Sequence, residues 1–145
     1  GPIEDSSYWD QCREVIDSLP PNVSFEYKGV VSPSQVHVCF SKYDLFLFPT
    51  SGENFGHVII ESLLAGTPVL VSDRTPWRGL AKEGVGWDLS LEEPDNFVSC
   101  IDDFARMDPE SREERRRHVR EWAVRTVSDG RAAENNRRLF RSELS

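Results

Sequence analysis

The residues of this 145-residue chain best suited to chemistry lie in one stretch, Ser51-Gly-Glu-Asn-Phe-Gly-His-Val-Ile-Ile-Glu61. Gly52 and Gly56 frame a loop in which the backbone can approach a ligand closely. His57 opens a strongly apolar helical segment. The N–H groups of Gly56, His57 and Val58 are therefore expected at the positive end of a helix dipole, which suits a phosphate. Glu61 interrupts the apolar run and falls about 40° around the helix from His57. A carboxylate in such a run is costly unless something hydrogen-bonds it. Two readings satisfy that condition. Glu61 either accepts from two ribose hydroxyls, which an ionised carboxylate does well, or sits on the exposed edge of its helix or caps neighbouring backbone. Glu53 is either a ligand-facing loop residue or a plain helix-entry carboxylate favoured by the dipole.

These residues need elements to hold them, and the hydropathy pattern alternates helix and strand. A helix runs from Ser6 or Ser7 to Leu19, with Tyr8, Trp9, Cys12, Val15, Ile16 and Leu19 on one face, and Pro20-Pro21 stops it. Val23–Tyr27 alternates as a short strand, and a second helix runs from Ser34 to about Lys42. Asp44–Pro49 is a continuous apolar run of the kind expected for a strand buried on both faces. After the glycine loop come a helix over 57–65 closed by Gly66, and a buried strand over 68–72. Thr75 and Pro76 read as cap and first residue of a short helix ending near Lys82. A strand lies within 84–89, and helices are expected at 94–107, 109–127 and 131–144. Val119, Trp122, Ala123 and Val127 make a stripe for burial, and Trp87 reads as core. This alternation implies an α/β, Rossmann-like, doubly wound parallel sheet in three layers, with extra helices at its C-terminal side. Ligands of such sheets bind beyond the carboxyl ends of strands. That rule selects the loops 28–33, 50–56 and 72–75.

Composition narrows the classes. With 38% hydrophobic and 29% charged residues the chain is neither collagen-like nor strongly disordered, and its length fits a single domain. No apolar stretch approaches the ~18–20 residues of a membrane span. Cys12, Cys39 and Cys100 have no paired spacing and the three histidines have no metal-ligand spacing, so free thiols in a reducing, cytoplasmic compartment are expected, with no metal. The net charge of −8 is uneven: residues 106–145 carry eleven arginines and eight acids, so the rest is strongly acidic. An acidic body argues against nucleic acid as partner. The arginine-rich end is either a solvated helix face laced with Glu110, Glu113, Glu114 and Glu121, or a surface drawn weakly to an anionic membrane leaflet.

The same residues carry a resemblance. Pro49, Ser51, Gly52, Glu53, Phe55, Gly56, Glu61, Ser62, Gly66, Pro68 and Val69 match the pattern of the family 4 retaining glycosyltransferases, group 1, of the GT-B fold. Val23–Val31 resembles that family's strand and turn upstream, and the likeness extends over about residues 1–105. It implies the C-terminal, nucleotide-sugar-binding domain of a metal-independent hexosyltransferase, incomplete at its N-terminal side. By the resemblance Glu61 takes the ribose hydroxyls, Glu53 hydrogen-bonds the donor sugar at the reacting centre, and Asn54, Phe55, Gly56 and His57 present amides to sugar and diphosphate. The turn Gly29–Val31 lies against the base. Whether His57 uses only its amide or also its ring stays open.

The resemblance also implies what must come from elsewhere: an Arg and a Lys that clamp the diphosphate, and an acceptor-binding domain. The chain alone is therefore expected to be inactive, with no cofactor beyond its donor substrate. A bacterial surface polysaccharide or a lipid-linked glycan is the expected product, made in the cytoplasm or at the inner membrane face. Trp77 and Arg78, less general to the family, either meet the sugar or acceptor or pack over the sheet end. Three rivals remain: a stand-alone nucleotide-sugar-binding module completed by a partner chain, a nucleotide-sugar epimerase of the same fold, and a receiver-like interaction domain. The last wants an acidic residue at a strand's end, whereas Asp44 opens its strand.

Overall fold

A computed structural model describes residues 2–52 and 56–142, with side chains through residue 130. The chain falls into two compact units, Gly1–Val36 and His37–Ser145. In the first, α1 spans Ser6–Asp17. Its cap is Asp5 rather than Ser6 or Ser7, because the Asp5 carboxylate accepts the Tyr8 N–H at 3.0 Å and so fills the N-cap role one residue earlier. The apolar stripe is narrower than the spacing predicts: Trp9, Cys12 and Ile16 are half-buried, while Tyr8, Val15 and Leu19 are exposed. Trp9 packs on Phe25 and Tyr27, with ring centroids 6.3 and 5.1 Å apart. Val23–Tyr27 does not form the expected strand. It joins no ladder, and the aromatic contacts with Trp9 hold it instead.

The second expected helix is split. A 3₁₀ turn at Pro33–Gln35 leads into α2, Val36–Ser41. Thereafter the order is β1 (Phe46–Phe48), α3 (His57–Leu64), β2 (Val69–Ser72), α4 (Leu80–Glu83), β3 (Gly86–Leu89), α5 (Pro94–Ala105) and α6 (Pro109–Ser142). The three strands form a parallel sheet in the order β1-β2-β3, with Phe46 opposite Val69 and Val69 opposite Gly86. Crossover helices between successive parallel strands give the expected α/β architecture.

Strand alternation assigns the two faces. Val69 and Val71, with Phe46 and Phe48 beside them, join Ile59 and Leu63 of α3 and Val119 and Ala123 of α6 in one core. On the other face Trp87 meets Phe104 of α5 edge-on at 6.0 Å. Of the stripe predicted on α6, Val119 and Ala123 are buried and Trp122 and Val127 half-buried, whereas β1 is not enclosed on both faces. Leu47 is 46% exposed, because β1 pairs with β2 alone among the described strands and Leu47 turns away from the α3 core. β2 is the strand buried throughout.

Two other expectations change. Thr75-Pro76 does not begin a helix; α4 starts at Leu80 after Gly79. Its amino end is capped from a distance by Asp88 of β3, which accepts the N–H groups of Gly79 and Leu80 at 3.2 and 3.0 Å. The helices expected at 109–127 and 131–144 are one continuous α6 through Ser142. An interior glycine such as Gly130 costs only about 1 kcal/mol and does not by itself break a helix. The hydroxyls of Thr126 and Ser128 donate to the carbonyls of Trp122 and Val124 four residues back, so they stay within the helix instead of starting a new one.

The arginines of α6 are not merely a solvated face. Arg116 donates to Ser41 O and Tyr43 O at 2.6 and 2.7 Å, and Arg120 to Ala65 O at 3.3 Å. They satisfy carbonyls at the ends of α2 and α3 that the helices themselves cannot. Thr67, fully buried between α3 and β2, donates to Phe40 O at 2.7 Å. Cys12, Cys39 and Cys100 are free and half-buried. No helix among the described residues is long and apolar enough to cross a membrane.

Gly86 is required by packing rather than by backbone angle: a β-carbon there would overlap Val69 O on the neighbouring strand and lie 2.8 Å from Val69 Cγ2. Gly86→Ala should destabilise by about 1–3 kcal/mol, the usual range for overpacking, read as a lowered midpoint in urea denaturation. Asp108 caps α6, accepting the backbone N–H of Ser111 at 2.9 Å and its hydroxyl at 2.7 Å. These bonds hold its carboxyl below the ordinary carboxylate range. A group with a depressed folded pKa stabilises above its unfolded value and loses that contribution as pH falls through the folded one. Asp108→Ala should therefore be less stable than wild type at neutral pH, and thermal melts should converge on acidification.

Candidate functional site

The loops after β1 and β2 meet at the carboxyl end of the sheet. The hydroxyl of Ser72, the last residue of β2, donates to Thr50 O, and the Arg74 N–H donates back to Ser72 Oγ at 3.3 Å. Thr50 in turn organises its own loop: its hydroxyl donates to Gly52 O at 2.9 Å and accepts the Gly52 N–H at 3.3 Å. Thr75 closes a turn by accepting the Trp77 N–H at 3.2 Å. Arg78 donates to Asp73 O and lies 3.6 Å from Asp88, whose side chain is largely buried. Asp88 therefore fixes both Arg78 and the start of α4.

Gly56 joins the first loop to α3. It is buried and left-handed at φ +63°, and its carbonyl accepts from Ile59 and Ile60 at 2.9 and 3.2 Å to begin the helix. A β-carbon at this position would overlap Nε1 of Trp77 and lie 2.8 Å from its Cδ1. The glycine is needed both for its φ and for the indole edge laid across it. Trp77 itself packs on the core and lies 6.3 Å from Trp122, ring centre to ring centre.

The predicted site residues divide into four groups. Gly56, His57 and Glu61 lie together at the amino end of α3, with His57 and Glu61 one turn apart on its exposed stripe while Ile59, Ser62 and Leu63 face inward. Glu61 is exposed, so the cost of burying a carboxylate does not arise. Ser51 and Gly52 are exposed on the adjoining loop. A β-carbon on Gly52 would meet nothing within 4 Å, so of the two glycines it is Gly56 that a close approach requires. Glu53, Asn54 and Phe55 lie outside the described residues. Gly29 and Val31 belong to the first unit, where Gly29 is left-handed at φ +65° and Val31 is half-buried.

The sequence places Ser72 only at the start of the candidate loop 72–75, with no role of its own, and does not single out Asp88. Each carried a signal: a hydroxyl ending the apolar run 69–71, and a lone acid within β3. The pairing of Trp77 with Gly56 had none, being a contact between residues twenty-one positions apart. No cluster of three or more His, Cys, Asp or Glu among the described residues is arranged to hold a metal.

Residues 4–122 match the protein family described as glycosyl transferases group 1. The chain belongs to that family. No curated protein and no solved structure gives a significant match beside it. In this group 1 glycosyltransferase the matched span takes in both loops at the sheet's carboxyl end, all three strands and α6 as far as Trp122.

The Gly56–Trp77 contact generates a direct test. Gly56→Ala combines left-handed strain with overlap on the indole, and should destabilise by about 2 kcal/mol or more. Gly52→Ala should be close to neutral, and thermal denaturation of the two variants side by side reads the difference.

Proposed function

We propose that this group 1 glycosyltransferase binds a nucleotide-diphosphate sugar at the amino end of α3 and supplies the donor half of a retaining hexosyl transfer. Membership of the family, over a span that includes Ser51–Glu61, is the observation that carries the reading. The position of α3 supports it. Its positive end faces the loops at the strand termini, the place where α/β sheets take ligands and where a departing diphosphate is stabilised. Glu61 accepts the two ribose hydroxyls from the exposed stripe one turn beyond His57, where both lone-pair-bearing oxygens are reachable. Glu53 hydrogen-bonds the donor sugar, and Ser51, Gly52, Asn54, Phe55, Gly56 and His57 line the sugar and diphosphate. Gly29 and Val31 are the residues for the base.

In this reading charge on the leaving diphosphate is met by backbone amides, the helix end and protein cations, with no metal required. An acceptor-binding domain, with its own contribution to the cleft, completes the catalyst. The acceptor is a glycan or a lipid-linked glycan, as in bacterial polysaccharide synthesis at the cytoplasmic face of a membrane.

Titration of the 145-residue chain with uridine, guanosine and adenosine diphosphate sugars, followed by amide NMR, tests the binding half. One of them should give saturable shifts centred on residues 56–61, and Glu61→Ala should weaken that ligand about tenfold or more, as for loss of hydrogen bonds to a charged group. Absence of shifts with all three overturns the reading. The same chain should bind without turning over; sugar transfer by it alone, abolished in Glu53→Gln, contradicts the need for an acceptor domain.

A further inference from the structure

Of the acidic residues described, only Asp73 and Asp88 are not exposed, and their carboxylates are treated differently. Asp88 accepts the N–H groups of Gly79 and Leu80 and lies 3.6 Å from Arg78. The half-buried carboxylate of Asp73 has no hydrogen-bond or ion-pair partner among the described residues. Two cations stand close by in the chain, and both are turned elsewhere. Arg74 pairs with Glu92 at 3.5 Å. Arg78 reaches Asp88 and the main-chain carbonyl of Asp73, not its carboxylate. A carboxylate gives up hydration at a cost unless something replaces it. Nothing in the packing of this loop calls for an acid at position 73.

The position is as specific as the isolation. Asp73 directly follows β2, the strand buried throughout, at the carboxyl end of the sheet where α/β proteins take ligands. Its backbone is held on both sides: the N–H donates to Leu89 O at 2.8 Å, and the carbonyl accepts from Arg78. Ser72, just before it, ties the strand end to Thr50 O in the loop after β1. The carboxylate itself is open to a ligand. Trp77 Nε1 is the sole unpartnered side-chain nitrogen or oxygen among the described residues that is shut off from solvent, so both oxygens of Asp73 remain accessible.

The charge around Asp73 selects the chemistry of what meets it. Asp73, Asp88 and Glu92 outnumber Arg74 and Arg78, which disfavours a phosphate there and suits a hydroxyl, for which a carboxylate is a strong acceptor. We propose that Asp73 is a binding residue for the sugar of the donor, its carboxylate accepting from hydroxyls of a neutral hexose. The proposal rests on the nucleotide-sugar reading given above. Within that reading Glu61 takes the ribose, Gly29 and Val31 take the base, and the diphosphate lies at the amino end of α3. The sugar is the part left to meet a carboxylate at the end of β2. Asp73 thus adds to Glu53 a second sugar contact, supplied from the loop after β2 and not from the glycine loop. A side chain on a fixed backbone, with no internal bond to break first, loses little on binding.

The test uses the 145-residue chain and the variant Asp73→Asn, which keeps the shape and removes the charge. Both are titrated calorimetrically with uridine, guanosine and adenosine diphosphates and with the glucose and mannose esters of each. Asp73→Asn should weaken the nucleotide-sugar that wild type binds by about tenfold. It should leave the matching nucleoside diphosphate unchanged or tighter, with an unchanged Tm. Equal loss for both ligand types marks a general effect on the site and overturns the proposal. Equal affinity of variant and wild type for the nucleotide-sugar overturns it too, and either result leaves the nucleotide-sugar reading intact. Failure of wild type to bind any of the nucleotide-sugars overturns both. Should Asp73→Asn not fold, the carboxyl carbon resonance of Asp73 in wild type decides the matter. It must shift further with the nucleotide-sugar than with the diphosphate, and equal shifts, or none at saturation, overturn the proposal.

Discussion

A strand enclosed on both faces and hydrogen-bonded on both sides can move only if its sheet comes apart, and β2 is in that position. All four of its residues are buried, with β1 on one side and β3 on the other. On the β3 side the approach is so close that Gly86 has no room for a β-carbon. Both ends of β2 transmit this fixity. Just before its amino end, Thr67 ties the α3–β2 joint to the carbonyl of Phe40. At its carboxyl end, Ser72 ties the loop after β1 to the loop after β2. The residues proposed for the donor therefore leave the sheet from anchored points, although they lie in loops.

Patterns that depend on local spacing were legible in the sequence. The helix opening at His57, its one-turn partnership with Glu61, the enclosed strand 69–72 and the stripe Val119–Ala123 all follow from hydrophobic period and turn residues. The family resemblance on 49–69 pointed to the group of enzymes to which the chain belongs. Patterns that depend on distant partners were not legible. Leu47 reads as buried because its neighbours are apolar, yet burial requires a layer to cover it. Val23–Tyr27 alternates as a strand does, yet a strand exists only beside another. Thr75-Pro76 has the chemistry of a helix start, but Asp88 brings the cap to Gly79 from across the sheet. Glu53, Asn54 and Phe55, central to the resemblance, lie outside the described residues, so that part of the site rests on sequence alone.

The arginines of α6 illustrate how composition can mislead. Eleven arginines in the last forty residues suggest a surface made for anions. Arg116 and Arg120 instead spend their donors on the terminal carbonyls of α2 and α3. Arg115 lies over the ring of Trp87 at 5.2 Å. Guanidinium groups serve well here because one planar fork can satisfy two carbonyls at once, as Arg116 does. Charge interleaved along a helix thus reports on what the helix is packed against as much as on solvent.

The arrangement of these ties separates two kinds of residue along the sheet axis. Thr67, Arg116, Arg120 and the buried stripe of α6 gather at one end and on one face, while Thr50, Ser51, Gly52, Gly56 and Asp73–Gly79 occupy the other end. A protein built in this way can alter the loops at the carboxyl ends of its strands while the amino-end network continues to specify the fold. Sequence drift in the loops is then limited mainly by the few tethers that reach them, Ser72, Asp88 and the Gly56–Trp77 contact. Relatives that have diverged in what they recognise should differ first between those tethers and last at them.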